Sequence, residues 1–378
     1  MLKILCTGDF QLDKTFGTLG KSAKLFRQQL MDTFESVILE HGAKHDLILI
    51  AGDLFDREAT PTSVIEEVSR TLSKSSTPCV IIPGNHDFVR SGIPYVLEES
   101  LKNVGAKNTH VMTEKKPISF SELGLTIYPA PLYRKDDISD LWGWIPEREQ
   151  SDGIRIALMH GALESLPGGT IPENLANAKD LDAVVCGDQH GPSRGDDSAS
   201  ELFNIDKSKS RKLYYSMAPE AQHINQNFVG SYLSLSFDEE GEITNHERIE
   251  VGNIRFFNES IDFENGEESD ESIQMVKAFF SQLDDCKPEL TSIRLNLGGQ
   301  LSSGNFSDLQ NFLKEITPQW PLLKLDRHII VSDDSEVSIE NDPAIDCIKR
   351  SLESGKEVSE EMNARIMEIV RLNIGRWK

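Results

Sequence analysis

Five short apolar runs, each ending abruptly in Gly, Asp, Asn or His, constrain the fold of this chain more than any other feature. They are LKILCTGDF, LILIAGDLFD, CVIIPGNHDF, IRIALMHGAL and AVVCGDQHGP. A continuous apolar run of about four to six residues is typical of a β-strand that is buried on both faces. The runs therefore predict a sheet covered on both sides within residues 1 to 250.

Helical patterns separate the first three runs and place helices between the predicted strands. The two apolar stripes are Phe26, Leu30, Phe34, Val37 and Ile38, and then Val64, Ile65, Val68 and Leu72. Alternation of strand and helix is the signature of an α/β fold. Ligands in such folds bind at the carboxyl ends of the strands, which is where the polar residues of these runs lie.

The rest of the chain predicts a second, smaller α/β domain and a helical tail. LYYSMAPE and GSYLSLSFDEEG are predicted strands that close a first domain at residues 1–250. Residues 253–340 alternate between helical and strand patterns: SIQMVKAFFSQL, TSIRLNLGG, FSDLQNFLKEI and LLKLDRHIIV. Residues 341–378 are helical in pattern, with an apolar stripe made of Met362, Ile366, Ile369 and Val370.

Composition limits the binding partners and the cellular compartment that we expect for this chain. The formal net charge of -23 argues against general affinity for polyanions, although local basic patches and bound cations can reverse the field near a site. The five cysteines form no CxxC pair, which indicates a reducing compartment. No apolar run approaches the ~18 residues of a membrane span, and no signal peptide is visible, so we expect a cytoplasmic protein with no membrane association.

Polar residues at the strand ends form one ordered series. Taken singly, each is most often a turn or capping residue. The series is Asp9, Gln11, Asp53, Asp56, Asn85, His86, Asp87, His160, Asp188 and His190. Because all of them follow buried strands, we expect them to share one site.

This series resembles the calcineurin-type metallophosphoesterase pattern, which runs D-x-H, GD-x-x-D, GNH-D/E, H and GH-x-H. DLILIAGDLFD and VIIPGNHDF most resemble the SbcD or Mre-type DNA repair nucleases, and YYSMAPEAQHINQNFVGSYLSLSFDEEG is similar to the segment that closes their catalytic domain. IRLNLGG and the following helix resemble the capping domain of the YhaO-like branch. The resemblance implies a four-layer sandwich of two mixed β-sheets flanked by helices, with a small C-terminal α/β capping domain.

The resemblance also implies two divalent cations that clamp a phosphodiester, bridged by the carboxylate of Asp53. The ligands implied for the first cation are Asp9, Gln11, Asp53 and His190. Those implied for the second are Asp53, Asn85, His160 and Asp188. His86 would face the phosphate as a catalytic residue, and Asp56 would orient its ring.

Two positions depart from the family pattern, because residues 11 and 188 are Gln and Asp where the family has His. The amide oxygen of Gln11 is a weak ligand, whereas Asp188 offers a charged oxygen. The shift from nitrogen to oxygen ligands favours Mn²⁺ or Mg²⁺ over softer metals, and we expect Mn²⁺. A degenerate site that is kept for structure or DNA binding is the competing hypothesis.

Basic residues near the motifs are candidates for substrate binding. Arg57, Arg90 and Arg194 each follow a motif closely, and the cluster DKSKSRK contributes Lys207, Lys209 and Arg211. A solvated loop is the alternative interpretation of this cluster, and a basic run of this kind is more often that.

The leading hypothesis is a metal-dependent DNA phosphodiesterase, an exonuclease or endonuclease subunit acting in DNA repair or in defence against foreign DNA. The alternatives are a phosphatase or small-nucleotide phosphodiesterase, and a catalytically weak scaffold that binds DNA and an ATPase. The resemblance further implies a homodimer and an SMC-like coiled-coil ATPase partner of the SbcC or YhaN type, docked on a C-terminal helical segment. The apolar stripe at residues 362–374 would suit such docking, and a helix packed on its own capping domain explains the stripe equally well.

Overall fold

The structure is a computed structural model that describes residues 1–93, 95–137, 140–191, 212–263 and 269–332. Two compact units follow from the contacts within the chain. Among the described residues, the first contains those of Met1–Ser260, Phe280–Asn296 and Glu315–Asp326, and the second contains those of Ile261–Phe279 and Leu297–Lys314 and residues 327–332. The domain boundaries predicted at residues 250, 253 and 340 stay predictions.

The described residues contain strands and helices with the following bounds. The strands are β1 Leu2–Thr7, β2 Leu47–Ala51, β3 Cys79–Ile82, β4 Thr109–Val111, β5 Ile118–Phe120, β6 Leu125–Pro129, β7 Ile154–His160, β8 Ala183–Gly187, β9 Leu213–Tyr215, β10 Ser231–Phe237, β11 Ile243–Glu250, β12 Arg255–Phe263, β13 Thr291–Ser302 and β14 Leu323–Ser332. The helices are α1 Ala23–Ser36, α2 Thr62–Lys74, α3 Val96–Val104, α4 Leu175–Ala178, α5 Ser269–Ser281 and α6 Ser303–Ile316.

The first sheet has the strand order β11-β10-β1-β2-β3-β4. Strands β1 to β4 are parallel, whereas β10 runs antiparallel to β1. Every residue of β2 is buried because alternate side chains enter different cores. Leu47 and Leu49 pack on one side, and Ile48 and Ile50 pack on the other. The apolar runs therefore predicted these central strands correctly.

The second sheet has the order β5-β6-β7-β8-β9, with β5 antiparallel and the other strands parallel. It packs face to face on the first sheet. Leu49 and Val80 of the first sheet share one apolar core with Ile127, Ile156 and Val185 of the second. The resulting sandwich brings the carboxyl ends of β2 and β7 together, which is the arrangement that the functional site requires.

Further layers cover the outer faces of the sandwich. Phe34 of α1, Val68 of α2 and Leu97 of α3 pack against the first sheet. The outer face of the second sheet is covered by irregular segments and the short helix α4, through residues such as Leu141 and Leu175. The predicted sandwich of two mixed β-sheets with flanking helices is confirmed.

A third sheet follows in the order β12-β13-β14. Strands β13 and β14 and helices α5 and α6 lie where the sequence patterns predicted them. Strand β12 was not predicted. No helix of the described residues is long and apolar enough to cross a membrane.

The sequence patterns also did not predict four other strands, β4, β5, β6 and β11. Both β4 and β5 are three residues long, which is too short to show a period. Strand β11 has the sequence ITNHERIE, has no fully buried residue and forms the edge of the first sheet. An edge strand with little burial lacks the apolar pattern by which strands are recognised.

Candidate metal centre

The turns that follow β1 and β2 bring two carboxylates together. Asp9 and Asp53 both have left-handed backbone conformations, with φ of 51° and 52°, and Gln11 has φ of 47°. The Asp9 N–H donates to the Gly52 carbonyl, and the Gln11 N–H donates to the Asp53 carbonyl, both at 3.0 Å. This conformation is uncommon for non-glycine residues and clusters at functional sites, so its occurrence at three neighbouring positions makes these turns a candidate site.

Asp9, Asp53 and His160 each offer a ligand atom, and these atoms lie within 4.8 Å of one another. All of these side chains are buried. Asp188 lies next to these residues, because its N–H donates to both carboxylate oxygens of Asp9, at 3.1 and 3.2 Å. The cluster therefore concentrates negative charge in a place that water barely reaches.

His160 is oriented as a metal ligand. Its Nδ1 lies 2.7 Å from the carbonyl oxygen of Ala51, so this nitrogen must donate its hydrogen there. The lone pair then lies on Nε2, which is the arrangement typical of metal-binding histidines. Gly52 has φ of 88°, and a Cβ on it would come within 2.4 Å of His160 Nδ1, so only glycine fits beside the ring.

Oxygen atoms converge on this lone pair. His160 Nε2 is 3.3 Å from Asn85 Oδ1, 3.6 Å from Asp53 Oδ1 and 4.0 Å from Asp188 Oδ1. Neighbouring ligands of an octahedral Mg²⁺ or Mn²⁺ are separated by about 3 Å. The side chains therefore fit one divalent cation with small adjustments.

The electrostatics of the cluster also fit a cation. Burial raises the pKa of Asp9 well above its usual value, and the carboxylates of Asp53 and Asp188 add to that effect. Burial opposes protonation of His160, but the same carboxylates with Asp9 outweigh it and raise its pKa to about 9. Crowded carboxylates of this kind favour a nearby positive charge, which a divalent cation would supply.

His190 also lies beside Asp9, with Nε2 at 3.7 Å from Asp9 Oδ1. Its other ring nitrogen, Nδ1, lies 2.8 Å from Nε2 of Gln226. Burial lowers the pKa of His190 to about 4, and the nearby charge of Lys14 adds to this effect. The ring is therefore neutral at physiological pH.

Gln11, a ligand expected for the first cation, has another partner. Its Oε1 accepts a hydrogen bond from Lys14 Nζ at 2.7 Å, and the same ammonium lies 3.0 Å from Asp56 Oδ1. Asp56 thus pairs with Lys14. The ring of His86 is instead held by the backbone carbonyl of Asp56, 2.9 Å from Nδ1, while the Asp56 carboxylate stays 3.6 Å away.

His86 lies at the mouth of the site. Its N–H donates to Asp53 Oδ1 at 2.9 Å, and its side chain is 35% exposed. The carboxylate of Asp87 turns inward instead and accepts hydrogen bonds from the Gly84 N–H at 2.7 Å and from the Tyr95 hydroxyl at 2.6 Å. This inward carboxylate holds the turn that presents His86 to a substrate.

The expected substrate-binding arginines are partly engaged by acidic groups. Arg57 Nε lies 2.7 Å from Asp13 Oδ2, and Arg90 lies 3.1 Å from Glu58. Both arginine side chains remain about two-fifths exposed, at 45% and 40%. The other expected residues, Arg194, Lys207, Lys209 and Arg211, lie outside the described residues.

Sequence reasoning overlooked several residues that shape the site: Asp13, Lys14, Gln222 and Gln226. The first two follow directly in GDFQLDK, so their proximity to Gln11 was a usable signal. Gln222 donates its side-chain hydrogens to the carbonyls of Asp9 and Phe10, 213 and 212 positions away in sequence. No local pattern reveals contacts of that range.

A protein-family model described as calcineurin-like phosphoesterase matches residues 2–192, about half of the chain. The matched range includes every side chain of the carboxylate and histidine cluster. A comparison with curated proteins found no match.

Proposed function

The chain belongs to the calcineurin-like phosphoesterase family, and from this premise we propose that it is a metal-dependent phosphodiesterase that cleaves DNA as an exonuclease or endonuclease subunit. The family and the cluster of Asp9, Asp53 and His160 support metal-dependent hydrolysis of phosphoesters. The choice of DNA rests on the SbcD or Mre-type motifs and on the surroundings of the cluster.

The observation that carries the choice of substrate is a groove of about 390 Å³ in the first unit, next to the cluster. It begins at Lys14 and Asp56 and extends to Arg294 and Lys324. Cationic side chains along a groove bind successive phosphates, and a chain with a net charge of -23 places several of its cations here. A phosphate monoester needs no such extension, so the groove favours a polynucleotide.

The residues of the site divide the work of hydrolysis. A bound Mn²⁺ or Mg²⁺ supplies Lewis acidity towards the phosphoryl oxygen and lowers the pKa of a water molecule. Asp53 and Asn85 would hold this cation through side-chain oxygens, and His160 would hold it through Nε2. His86, exposed at the mouth and fixed through its Nδ1 hydrogen, would give the leaving oxygen the Nε2 proton of its doubly protonated ring and keep the Nδ1 hydrogen.

We extend the proposal to the setting that the motifs imply. The protein acts in DNA repair or in defence against foreign DNA, in the cytoplasm, as a homodimer with an SMC-like coiled-coil ATPase. The C-terminal helical pattern at residues 341–378, which lies outside the described residues, is the proposed docking segment. An acidic subunit that binds DNA gains from a partner that supplies basic surface.

The test compares a linear DNA duplex, labelled at one end, with the chromogenic substrates bis-p-nitrophenyl phosphate and p-nitrophenyl phosphate in the presence of Mn²⁺. We expect cleavage of the duplex that is lost in Asp53→Asn. Hydrolysis of the monoester without cleavage of DNA would replace the proposal by a phosphatase. Absence of all hydrolysis in a protein that binds Mn²⁺ and DNA would favour a scaffold.

A further inference from the structure

We infer that this chain holds one divalent cation instead of two, and that Lys14 and His190 donate hydrogen bonds to a phosphate group where the other cation would lie. The cation belongs to the side chains whose ligand atoms face a common point: Asp53, Asn85, His160 and Asp188. The inference deepens the proposed function, and its phosphate part rests on that proposal.

The hydrogen-bond partner of His190 fixes the position of its ring proton. Gln226 Oε1 accepts a hydrogen bond from the Gln222 N–H at 2.7 Å, and this contact fixes which end of the amide faces His190. The Gln226 Nε2 hydrogens therefore point at His190 Nδ1, 2.8 Å away, and Nδ1 must accept. Because Nδ1 accepts, the ring hydrogen of His190 lies on Nε2, the nitrogen that faces Asp9.

His160 has the opposite tautomer, which makes the contrast informative. Its Nδ1 donates to a carbonyl oxygen, that of Ala51, and leaves a lone pair on Nε2. A metal ligand needs that lone pair, and a nitrogen that carries a hydrogen cannot provide it. One histidine of the site is thus prepared to bind a cation, and the other is prepared to donate a hydrogen bond.

Gln11 is unsuited to a cation for a second, independent reason. Its amide oxygen already accepts from the ammonium of Lys14 at 2.7 Å. A dication at this oxygen would lie beside a fixed positive charge, and the two would repel each other in a poorly hydrated place. Three ligands belong only to the implied first cation: Asp9, Gln11 and His190. Of these, Gln11 accepts a hydrogen bond from Lys14, and His190 presents a hydrogen instead of a lone pair, so only Asp9 keeps a free ligand oxygen.

Lys14 is placed to bind an anion. An ammonium has three hydrogens to donate, and Gln11 and Asp56 account for two of them. The side chain is 23% exposed and lines the groove beside the cluster. The remaining hydrogen is available to a phosphoryl oxygen that enters from the groove.

The first test counts cations on the full chain. Protein saturated with Mn²⁺ and freed of excess metal is analysed by mass spectrometry of the metal and by isothermal titration calorimetry. We expect one tightly bound Mn²⁺ per chain, and still one in Gln11→His, because Lys14 remains. Two tightly bound Mn²⁺ per wild-type chain would overturn the inference.

A triple variant, Gln11→His with Lys14→Met and Gln226→Glu, should acquire the second cation. The first two changes supply an imidazole and remove the ammonium. The third supplies a carboxylate that accepts a hydrogen from His190 Nδ1 and so moves the lone pair to Nε2. A folded triple variant that still binds one Mn²⁺ would contradict the reasoning.

The tautomer can be read in the wild-type protein, so the inference stays testable if the triple variant fails to fold. Long-range ¹H–¹⁵N spectra of the Mg²⁺-loaded protein distinguish a protonated Nε2 from a protonated Nδ1, with His190→Gln used for assignment. We expect His190 to carry its proton on Nε2 and His160 on Nδ1. A proton on His190 Nδ1 would contradict the inference that His190 donates a hydrogen bond through Nε2.

The phosphate part is tested with inorganic phosphate as the probe. We expect Lys14→Met to raise the Kd of the Mn²⁺-loaded protein for phosphate about tenfold, and the exposed control Lys24→Met to leave it unchanged. Equal phosphate binding in wild type and Lys14→Met would refute it. Neither the cation count nor the phosphate titration uses DNA. A failed nuclease assay therefore leaves the cation count and the phosphate titration valid, and a failed count or titration leaves the nuclease assay valid.

Discussion

Gly187→Ala should disrupt the hydrogen bond between His160 Nδ1 and the Ala51 carbonyl, which orients His160 in the metal centre. Gly187 ends β8 beside His160, at the point where the Ala51 carbonyl of the other sheet accepts the Nδ1 hydrogen. A Cβ on residue 187 would lie 1.9 Å from the Ala51 oxygen and 2.6 Å from His160 Nδ1. Contacts below 3.0 Å do not persist, so the hydrogen bond between the sheets must lengthen by about 1 Å.

The expected magnitude has two parts. Overpacking in a buried place costs about 1–3 kcal/mol of unfolding free energy. Loss of the group that orients a ligating histidine costs about 10–100-fold in metal affinity. A 30-fold increase in Kd lowers the stabilisation by saturating Mn²⁺ by about 2 kcal/mol.

The assay is urea unfolding with and without Mn²⁺, together with calorimetric titration of the cation. Gly304→Ala in α6 is the control because a Cβ there meets only Ser302 Oγ, at 3.9 Å. We expect the control to keep the full Mn²⁺-dependent shift. A Gly187→Ala protein with wild-type cation affinity would show that the Ala51 contact does not support His160, and the account of the site would fall.

Three further predictions follow from single side chains. Asp53→Asn should lower Mn²⁺ affinity by at least about 100-fold in calorimetry, because the central charged ligand is lost while the shape is kept. Tyr95→Phe should lower the unfolding free energy by about 1–3 kcal/mol, since it removes the 2.6 Å donor from the buried carboxylate of Asp87, whereas the exposed control Tyr133→Phe should not. Burial raises the pKa of Glu220 from 4.5 to about 7, so the folded state binds its proton more tightly than the unfolded state. Stability should therefore fall as pH rises from about 4.5 to about 7, by on the order of 3 kcal/mol, and Glu220→Gln should lose this pH dependence in urea titrations.

The central strands and the convergence of their carboxyl ends could be predicted from the sequence. A run such as LILIA has no polar position, so it must be buried on both faces. Parallel strands then place the following Asp53 beside the residues that follow β1 and β7. The edge strand β11 lacks this constraint because water solvates much of it, and its polar sequence gave no strand signal.

The protonation pattern of the site could not be predicted in the same way. Which nitrogen of His190 carries the proton depends on Gln226, which lies 36 positions later in sequence and reaches the site only because the chain returns there after β9. The motif identified His190 by type and spacing. The residue type and the motif spacing do not determine the direction of a hydrogen bond.

The two departures from the metal-ligand pattern differ in kind, and charge balance explains the difference. Asp188 still directs a carboxylate oxygen at the shared point near His160, so we expect it to replace the histidine as a ligand. Gln11 holds an ammonium instead, and that ammonium also neutralises Asp56. Buried carboxylates need nearby positive charge, so a site that gives up one cation must obtain charge from the chain itself. We propose that Lys14 supplies it, which makes Gln11 and Lys14 a coupled pair. Restoring a histidine at position 11 alone leaves the positive charge of Lys14 in place, so we expect the second cation to stay excluded.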